Sequence, residues 1–525
     1  MEKKVLTAQQ VRQINRSNIV KGTLILTLTG FITRFIGFFY RIFLSNTLGA
    51  ELLGIYQLIF PIYGICFTIY AMGIQTSISR LVAAEMGKRN PKNVYKILRV
   101  GLFLSVVSAI ILSILVYLYS DLIAARFLLE KRSAESLRIL AFAFPFCGIT
   151  ACINGFYYGL KKAGVPAITQ LLEQVIRVIV VYLIALYSGN GDMKITCEIA
   201  VFGLVIGEVS SCLYNFAALF LTKSPSKLLI SGVNPAAVPS RRKIIIKDML
   251  ALSVPLSANR LLLSILHSIE AIMIPTMLRR YGLSTQEALI AFGVLNGMSI
   301  PFIMFPTALT NALAVLLLPT ISEAQAVNND KLIGKTTAIS IKYSLIIGII
   351  STGLFIIFGQ DLGNAVFHNK ASGDYLIILA WLCPFMYLTT TLSSIINGLG
   401  KAHITFVNSI LGMAFKIILI VFLIPSRGIT GYLIALLFGQ LIITGLDTFA
   451  VIKYVHFNMD SINSLIKPGI VVTFSAFIVN ASYDYLKKMT HINEVLFLLT
   501  FCLLLCVICT ILLLITGAIS KKDFK

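Results

Sequence analysis

Two arginines seven residues apart, Arg34 and Arg41, lie inside an apolar run near residues 23–45, with Gly37 between them. A helix turns about 100° per residue, so the pair shares one face, about 10 Å apart along the axis. A guanidinium neither gives nor takes protons at neutral pH. What it offers is a planar fork of N–H donors that fits phosphate or carboxylate oxygens two at a time. The chemistry of such a pair is anion binding. Facing hydrocarbon, each guanidinium would cost about 2.5–3.5 kcal/mol on insertion scales, so a protein interior or a water-filled cavity is the expected surrounding. The competing reading is snorkelling, above all for Arg41 near the end of the run.

The spacing recurs later in the chain. Asn259-Arg260 is followed by Ser264 and His267, placing Arg260 and His267 on one helical face, as Arg34 and Arg41 are. Arg260 stands 226 positions after Arg34, and His267 stands 226 after Arg41. Facing one another, two such helices would line a positively charged cavity suited to an anionic headgroup. Alternatively each packs within its own lobe, its charge neutralised locally, with Glu270 the nearest acid to Arg260.

Composition sets the surroundings. The chain has 525 residues, 57% hydrophobic and only 13% charged, against about 25% charged in soluble domains. Its mean hydropathy is +0.89. Fourteen apolar runs of about 20 residues are legible, from 23–45 to 494–517, each long enough to span a bilayer. The net charge of +22 invites a nucleic-acid partner, but the basic residues cluster in alternate loops, as in Lys88, Arg89, Lys92 and Arg99. That is a positive-inside pattern, and it places both termini in the cytoplasm with no nucleic acid involved. The expected fold is an all-α integral membrane protein of about 14 transmembrane helices.

The order of segments gives a cytoplasmic amphipathic lead-in (1–22), a six-helix lobe (23–221) and a basic linker (222–249). A second six-helix lobe (250–456), two extra helices (457–518) and a short cytoplasmic tail (519–525) complete it. The lobes repeat one another. Leu140–Phe146 aligns with Leu379–Phe385 around a shared proline, and Gly159-Leu160-Lys161-Lys162-Ala163 aligns with Gly398-Leu399-Gly400-Lys401-Ala402, both at an offset of 239. An even number of spans per repeat makes the two lobes parallel, about a pseudo-two-fold along the membrane normal.

Other polar residues within the spans have two readings each. Glu173 and Arg177 are spaced for an intrahelical ion pair. Lys416, the counterpart of Arg177, lacks that acid because Gly412 replaces Glu173, leaving it to snorkel or to serve as a cavity cation. Glu208 matches Gln440 and is either a structural contact or a coupling carboxylate. Asp447, toward the end of its span, reads as interfacial. Gly37 and Gly73 suit bending or gating, and Arg80, at the cytoplasmic end of its span, suits an inside-positive charge anchor. Cys506 and Cys509 form a C-x-x-C inside the last apolar run, where packing outweighs metal or redox chemistry. No cofactor is expected.

Thr33-Arg34-Phe35-Ile36-Gly37-Phe38 with Arg41 resembles the N-terminal signature of the MurJ-type lipid II flippases. Ser77–Glu85 and Gly155–Leu160 resemble the stage V sporulation protein B branch of the same multidrug/oligosaccharidyl-lipid/polysaccharide exporter superfamily. The resemblance covers essentially the whole chain. It implies two six-helix lobes around a central cavity, alternating access, and a groove for a polyprenyl tail beside the last two helices. It also implies that Arg34, Arg41 and Arg260 contact a substrate diphosphate and that Arg80 belongs to an inner gate. That family's ion site has acids on the eleventh span, whereas residues 403–424 here hold none. The acids that would carry sodium coupling are thus missing from that span, and membrane potential acting on a cationic cavity is the expected driver of reset, with Na+ and H+ the other candidates.

Three function classes follow. The first is a flippase for an undecaprenyl-diphosphate-linked saccharide, lipid II foremost, in the bacterial cytoplasmic membrane. It would act as a monomer among membrane lipids and alongside the cell-wall synthesis machinery. The second is a drug/cation antiporter, which would need carboxylates where this chain puts cations. The third, an enzyme acting on lipid-linked sugars, lacks an acidic cluster or a glycine-rich phosphate loop in its short external segments.

Overall fold

The computed structural model describes residues 8–88, 90–188, 195–221, 241–487 and 494–520, with side chains from residue 25 onward. Part of the lead-in (1–7), most of the linker (222–240) and the end of the tail (521–525) lie outside the described residues, as do the lead-in's side chains. Among the described residues every regular element is helical. Apolar runs of this length can satisfy their backbone groups in hydrocarbon only by closing the i to i−4 bonds internally.

Among the described residues fourteen helices, some of them broken within their length, carry the candidate spans. Helices α1 (8–48) and α2 (50–87) are parted at Gly49, whose φ of 76° only glycine adopts without strain. They are followed by α3 (Val94–Leu118), α4 (134–159), α5 (Gly164–Ser188) and α6 (Cys197–Leu221). The second series is α7 (Arg242–Tyr281), α8 (285–326), α9 (Asp330–Phe367), α10 (Lys370–Gly398), α11 (Ala402–Arg427) and α12 (Ile429–Tyr454). Helices α13 (Ile462–Lys487) and α14 (Glu494–Ile515) close the chain.

By packing, the chain forms two compact units, one of residues 1–40 and 55–272 and the other of 41–54 and 273–525. The boundaries between them fall inside α1, at the start of α2, and inside α7.

Unit 1 is assembled on close helix contacts at small residues, the usual device where lipid supplies no hydrophobic drive between helices. A Cβ on Gly155 would stand 2.5 Å from the Gln75 carbonyl oxygen, and one on Gly159 would stand 2.7 Å from Val82 Cβ. These contacts clamp α4 onto α2. Ser105 of α3 donates to the Tyr70 carbonyl at 2.6 Å. Helix α4 bends by 46° at Phe142, because Pro145 has no N–H for the Ala141 carbonyl and its ring crowds that oxygen.

Unit 2 repeats the scheme residue by residue. A Cβ on Gly398 would stand 2.9 Å from Ile321 Cβ and 3.1 Å from the Leu318 carbonyl. Each of these residues is 239 positions after Gly159, Val82 and Ser79. The left-handed residues follow the same register: Leu129 (φ 56°) with His368 (φ 51°), and Lys161 (φ 58°) with Gly400 (φ 73°). A short 3-10 turn at Ala380–Leu382 precedes Pro384, where unit 1 has its bend before Pro145. In addition α13 and α14 pack on α9, with Tyr483 edge-on to Phe358 and a Lys487–Asp361 ion pair at 2.8 Å.

Candidate functional site

Helix α1 presents Arg34 and Arg41 on exposed positions, Arg34 within unit 1 and Arg41 within unit 2. Thr33 turns its hydroxyl back onto the Thr29 carbonyl at 2.9 Å, so it adds no free hydroxyl beside Arg34. Gly37 faces α5, with Gln174 Nε2 3.4 Å from where a Cβ would sit, an ordinary van der Waals contact.

Helix α7 carries a serine stripe. Ser253, Ser257, Ser264 and Ser268 recur at helical spacing and face α2 within unit 1. A Cβ on Gly73 would meet Ser257 Oγ at 2.1 Å and the Ser253 carbonyl at 2.6 Å. Further along, Ser264 Oγ lies 3.1 Å from Thr68 Oγ1, and Ser268 donates to the Pro61 carbonyl at 3.3 Å. Ser264 is therefore engaged with α2, while Asn259, Arg260 and His267 on the same helix are exposed. Glu270 is buried, its Oε2 3.9 Å from His267 Nδ1. Beside this seam α2 holds a π-helical turn at Thr68–Met72, and α8 holds one at Val294–Ser299. The extra residue in such a turn breaks the helical register, a frequent feature of functional helices.

Two polar networks lie deeper. In unit 1 Glu173 and Arg177 of α5 form the expected ion pair. Nearby Glu208 of α6 is buried and accepts from the Tyr63 hydroxyl at 3.2 Å, which in turn lies 3.4 Å from Cys147 Sγ. In unit 2 the aliphatic stem of Lys416 lies along Gly439, and Gln440, the counterpart of Glu208, donates to Thr389 at 2.9 Å. Arg177 lies along Gly207 in the same way. Arg80 is exposed near the end of α2.

Asp447 corrects the sequence reading. It is buried, with 1% of its surface exposed. Its two carboxylate oxygens accept from Asn408 Nδ2 at 2.8 Å and from Ser393 Oγ at 3.0 Å. Nearness to the helix end suggested an interface, but burial is decided by neighbouring helices, here α10 and α11. The signal lay in the repeat register, which pairs Asp447 with Asn215 of α6.

On α13 an apolar groove of about 640 Å³ is lined by Leu465, Ile466, Ile470, Phe474 and Phe477.

The fold defined by these helices is that of the exporter superfamily transporters. A solved lipid II flippase MurJ in an inward closed conformation matches 95% of this chain and 99% of its own, with a TM-score of 0.69 at 17% identity. Stage V sporulation protein B of Bacillus subtilis is 24% identical over 476 residues, 90% of each chain. Lipid II flippase MurJ of the same organism is 23% identical over 447 residues, 81% of each chain. The family model described as "polysaccharide biosynthesis protein" matches residues 19–325. This multi-pass membrane protein belongs to that family.

Proposed function

We propose that this chain is a flippase that moves an undecaprenyl-diphosphate-linked saccharide, lipid II foremost, from the inner to the outer leaflet by alternating access. It would serve peptidoglycan or spore-cortex synthesis in the bacterial cytoplasmic membrane, with both termini cytoplasmic and the chain monomeric. No bond is broken. The polar headgroup is shielded from hydrocarbon in a hydrated cationic cavity while its tail stays in lipid.

The observation that carries this reading is the guanidinium repeated at one turn of the first helix of each repeat. Arg34 and Arg260 are both exposed, with no carboxylate engaged at either among the described residues. Guanidiniums left exposed on membrane helices are costly unless they meet an anion or water, and a diphosphate supplies two sets of paired oxygens. The two relatives named for lipid II transport and for sporulation support the cargo class. Gly73 and the adjacent π-helical turn of α2 suit a seam that rearranges during transport, and the α13 groove suits a polyprenyl tail. In this reading His267 extends the anion path along α7 from Arg260, and Glu208 and Lys416 are candidates for a gate or for coupling within their own units. Membrane potential acting on the cationic cavity contributes to reset, at about 2.3 kcal/mol per charge per 100 mV.

The test is rescue of growth in bacteria depleted of their own lipid II flippase. Wild type is compared with Arg34→Ala, Arg41→Ala and Arg260→Ala at matched membrane levels. Rescue by the wild type and loss of rescue in the arginine variants is expected. Rescue by all four removes the arginines from the mechanism. No rescue by well-expressed wild type redirects the cargo to another lipid-linked polysaccharide repeat unit, which the family description equally accommodates.

A further inference from the structure

The repeat register brings three positions of unit 1 onto three of unit 2. Asn154, Thr169 and Asn215 correspond to Ser393, Asn408 and Asp447, at offsets of 239, 239 and 232. The last offset is smaller because the α11–α12 connection is shorter than the α5–α6 one. In unit 2 all three side chains converge, and in unit 1 two of them meet. Thr169 donates to Asn215 Oδ1 at 3.1 Å in unit 1, as Asn408 and Ser393 donate to Asp447 in unit 2. The fold therefore accommodates a neutral amide at this position and does not need a charge there. Unit 2 nonetheless carries a carboxyl group, fully buried between α10, α11 and α12.

We infer that Asp447, with Ser393 and Asn408, forms a proton-binding site within unit 2. The site has no compensating cation among the described residues. Lys401 and Lys453, the basic residues near that end of α12, are held over the Tyr454 ring, 3.7 and 5.7 Å from its centroid. Lys416 lies along Gly439, about two turns away on the far side of Asp447. Ser393 faces the carboxyl from α10 and Asn408 faces it from α11, and both are neutral. An isolated carboxylate in such surroundings neutralises by taking up a proton.

The shell fits both states. Ionised, Asp447 accepts from Ser393 Oγ and Asn408 Nδ2. Protonated, one oxygen becomes a donor, and the Ser393 hydroxyl can rotate to accept it while Asn408 keeps its bond to the other. A bare metal cation is served less well, because the Asn408 group turned toward the carboxyl is its N–H₂. Asp447 lies seven residues from Tyr454, about 10 Å from the end of α12, a short path for proton exchange with the interface. The assignment does not depend on what the protein carries.

The experiment uses purified full-length protein in detergent, with infrared difference spectra recorded between about pH 5 and about pH 9. A carboxylic-acid C=O band that titrates in wild type and is absent in Asp447→Asn is expected. Asp447→Asn reproduces the amide that unit 1 already tolerates, so it should fold. Ser393→Ala keeps the acid but removes a donor to its ionised form, so the band should persist to higher pH. Identical titration in wild type, Asp447→Asn and Ser393→Ala overturns the proposal. A sodium chloride titration at fixed pH separates the two cations. If sodium ions remove the band while pH alone does not, the site binds a metal cation and the proton assignment is overturned.

Discussion

At Gly73 a single methyl group has nowhere to go. The Ser257 hydroxyl can rotate away from a new Cβ, but the Ser253 carbonyl, 2.6 Å from it, is backbone. Gly73→Ala therefore forces α2 and α7 apart and should lower stability by about 1–3 kcal/mol, the range for overpacking. It should do so despite alanine's advantage of about 1 kcal/mol in helix propensity. Gly37→Ala meets only Gln174 at 3.4 Å and should be neutral or slightly stabilising. Thermal unfolding in detergent checks both, and equal melting temperatures would show that the α2–α7 seam is looser than these distances. The same reasoning applies to Glu208. Tyr63→Phe removes a donor from a buried carboxylate and should cost about 1–3 kcal/mol. Glu208→Gln, the residue unit 2 carries at this place, should cost less, and the two melting curves give the comparison.

Single elements show where sequence reading reaches and where it stops. The spans were legible because a bilayer demands about 20 apolar residues, and the break at Gly49 lies between two such runs. The serine stripe of α7 was harder to see. Ser264 shares a face with Arg260 and His267 in projection, yet its hydroxyl packs on Thr68, because a helix wheel does not say which neighbour fills the face. Asp447 was misread for a related reason: distance from a helix end says little about depth when Asn408 and Ser393 approach from other helices. The start of α13 gives a prediction at this scale. Asp460 precedes the helix, accepts from the Asn463 backbone N–H at 3.1 Å and also pairs with the Asn463 side chain. The backbone bond, then the side-chain bond, hold its carboxyl below the ordinary carboxylate range. A depressed carboxyl stabilises the helix start fully above the ordinary value near about pH 4, and that contribution fades as pH falls through the lower folded value. Protection from hydrogen exchange at residues 462–466, taken relative to the intrinsic rate at each pH, should therefore fall below about pH 4 in wild type. In Asp460→Ala that protection should be low throughout, and a pH-independent difference between the two would remove the cap from the argument.

Across the whole molecule the repeat is the organising fact, because it turns one fold into two comparisons. Register at the level of Gly159, Val82 and Ser79 against Gly398, Ile321 and Leu318 means that one substitution can be placed twice in nearly the same surroundings. The units also differ at buried polar positions: Glu208 stands against Gln440, Asn215 against Asp447 and Glu173 against Gly412. Gly159→Ala puts a Cβ 2.8 Å from the Ser79 carbonyl, and Gly398→Ala puts one 3.1 Å from the Leu318 carbonyl. Both should destabilise, by about 1–3 kcal/mol each, with Gly159→Ala the more severe because its contact is closer. The two glycines share no neighbour, so the double variant should equal the sum of the singles to within about 0.5 kcal/mol. Chemical denaturation of the four proteins in one detergent measures this. An excess of the double over the sum would mean that the two packing sites are energetically coupled. A sum that holds would mean that the two packing sites contribute independently, so that the close approach at Gly159 and the one at Gly398 each stabilise the fold without reference to the other.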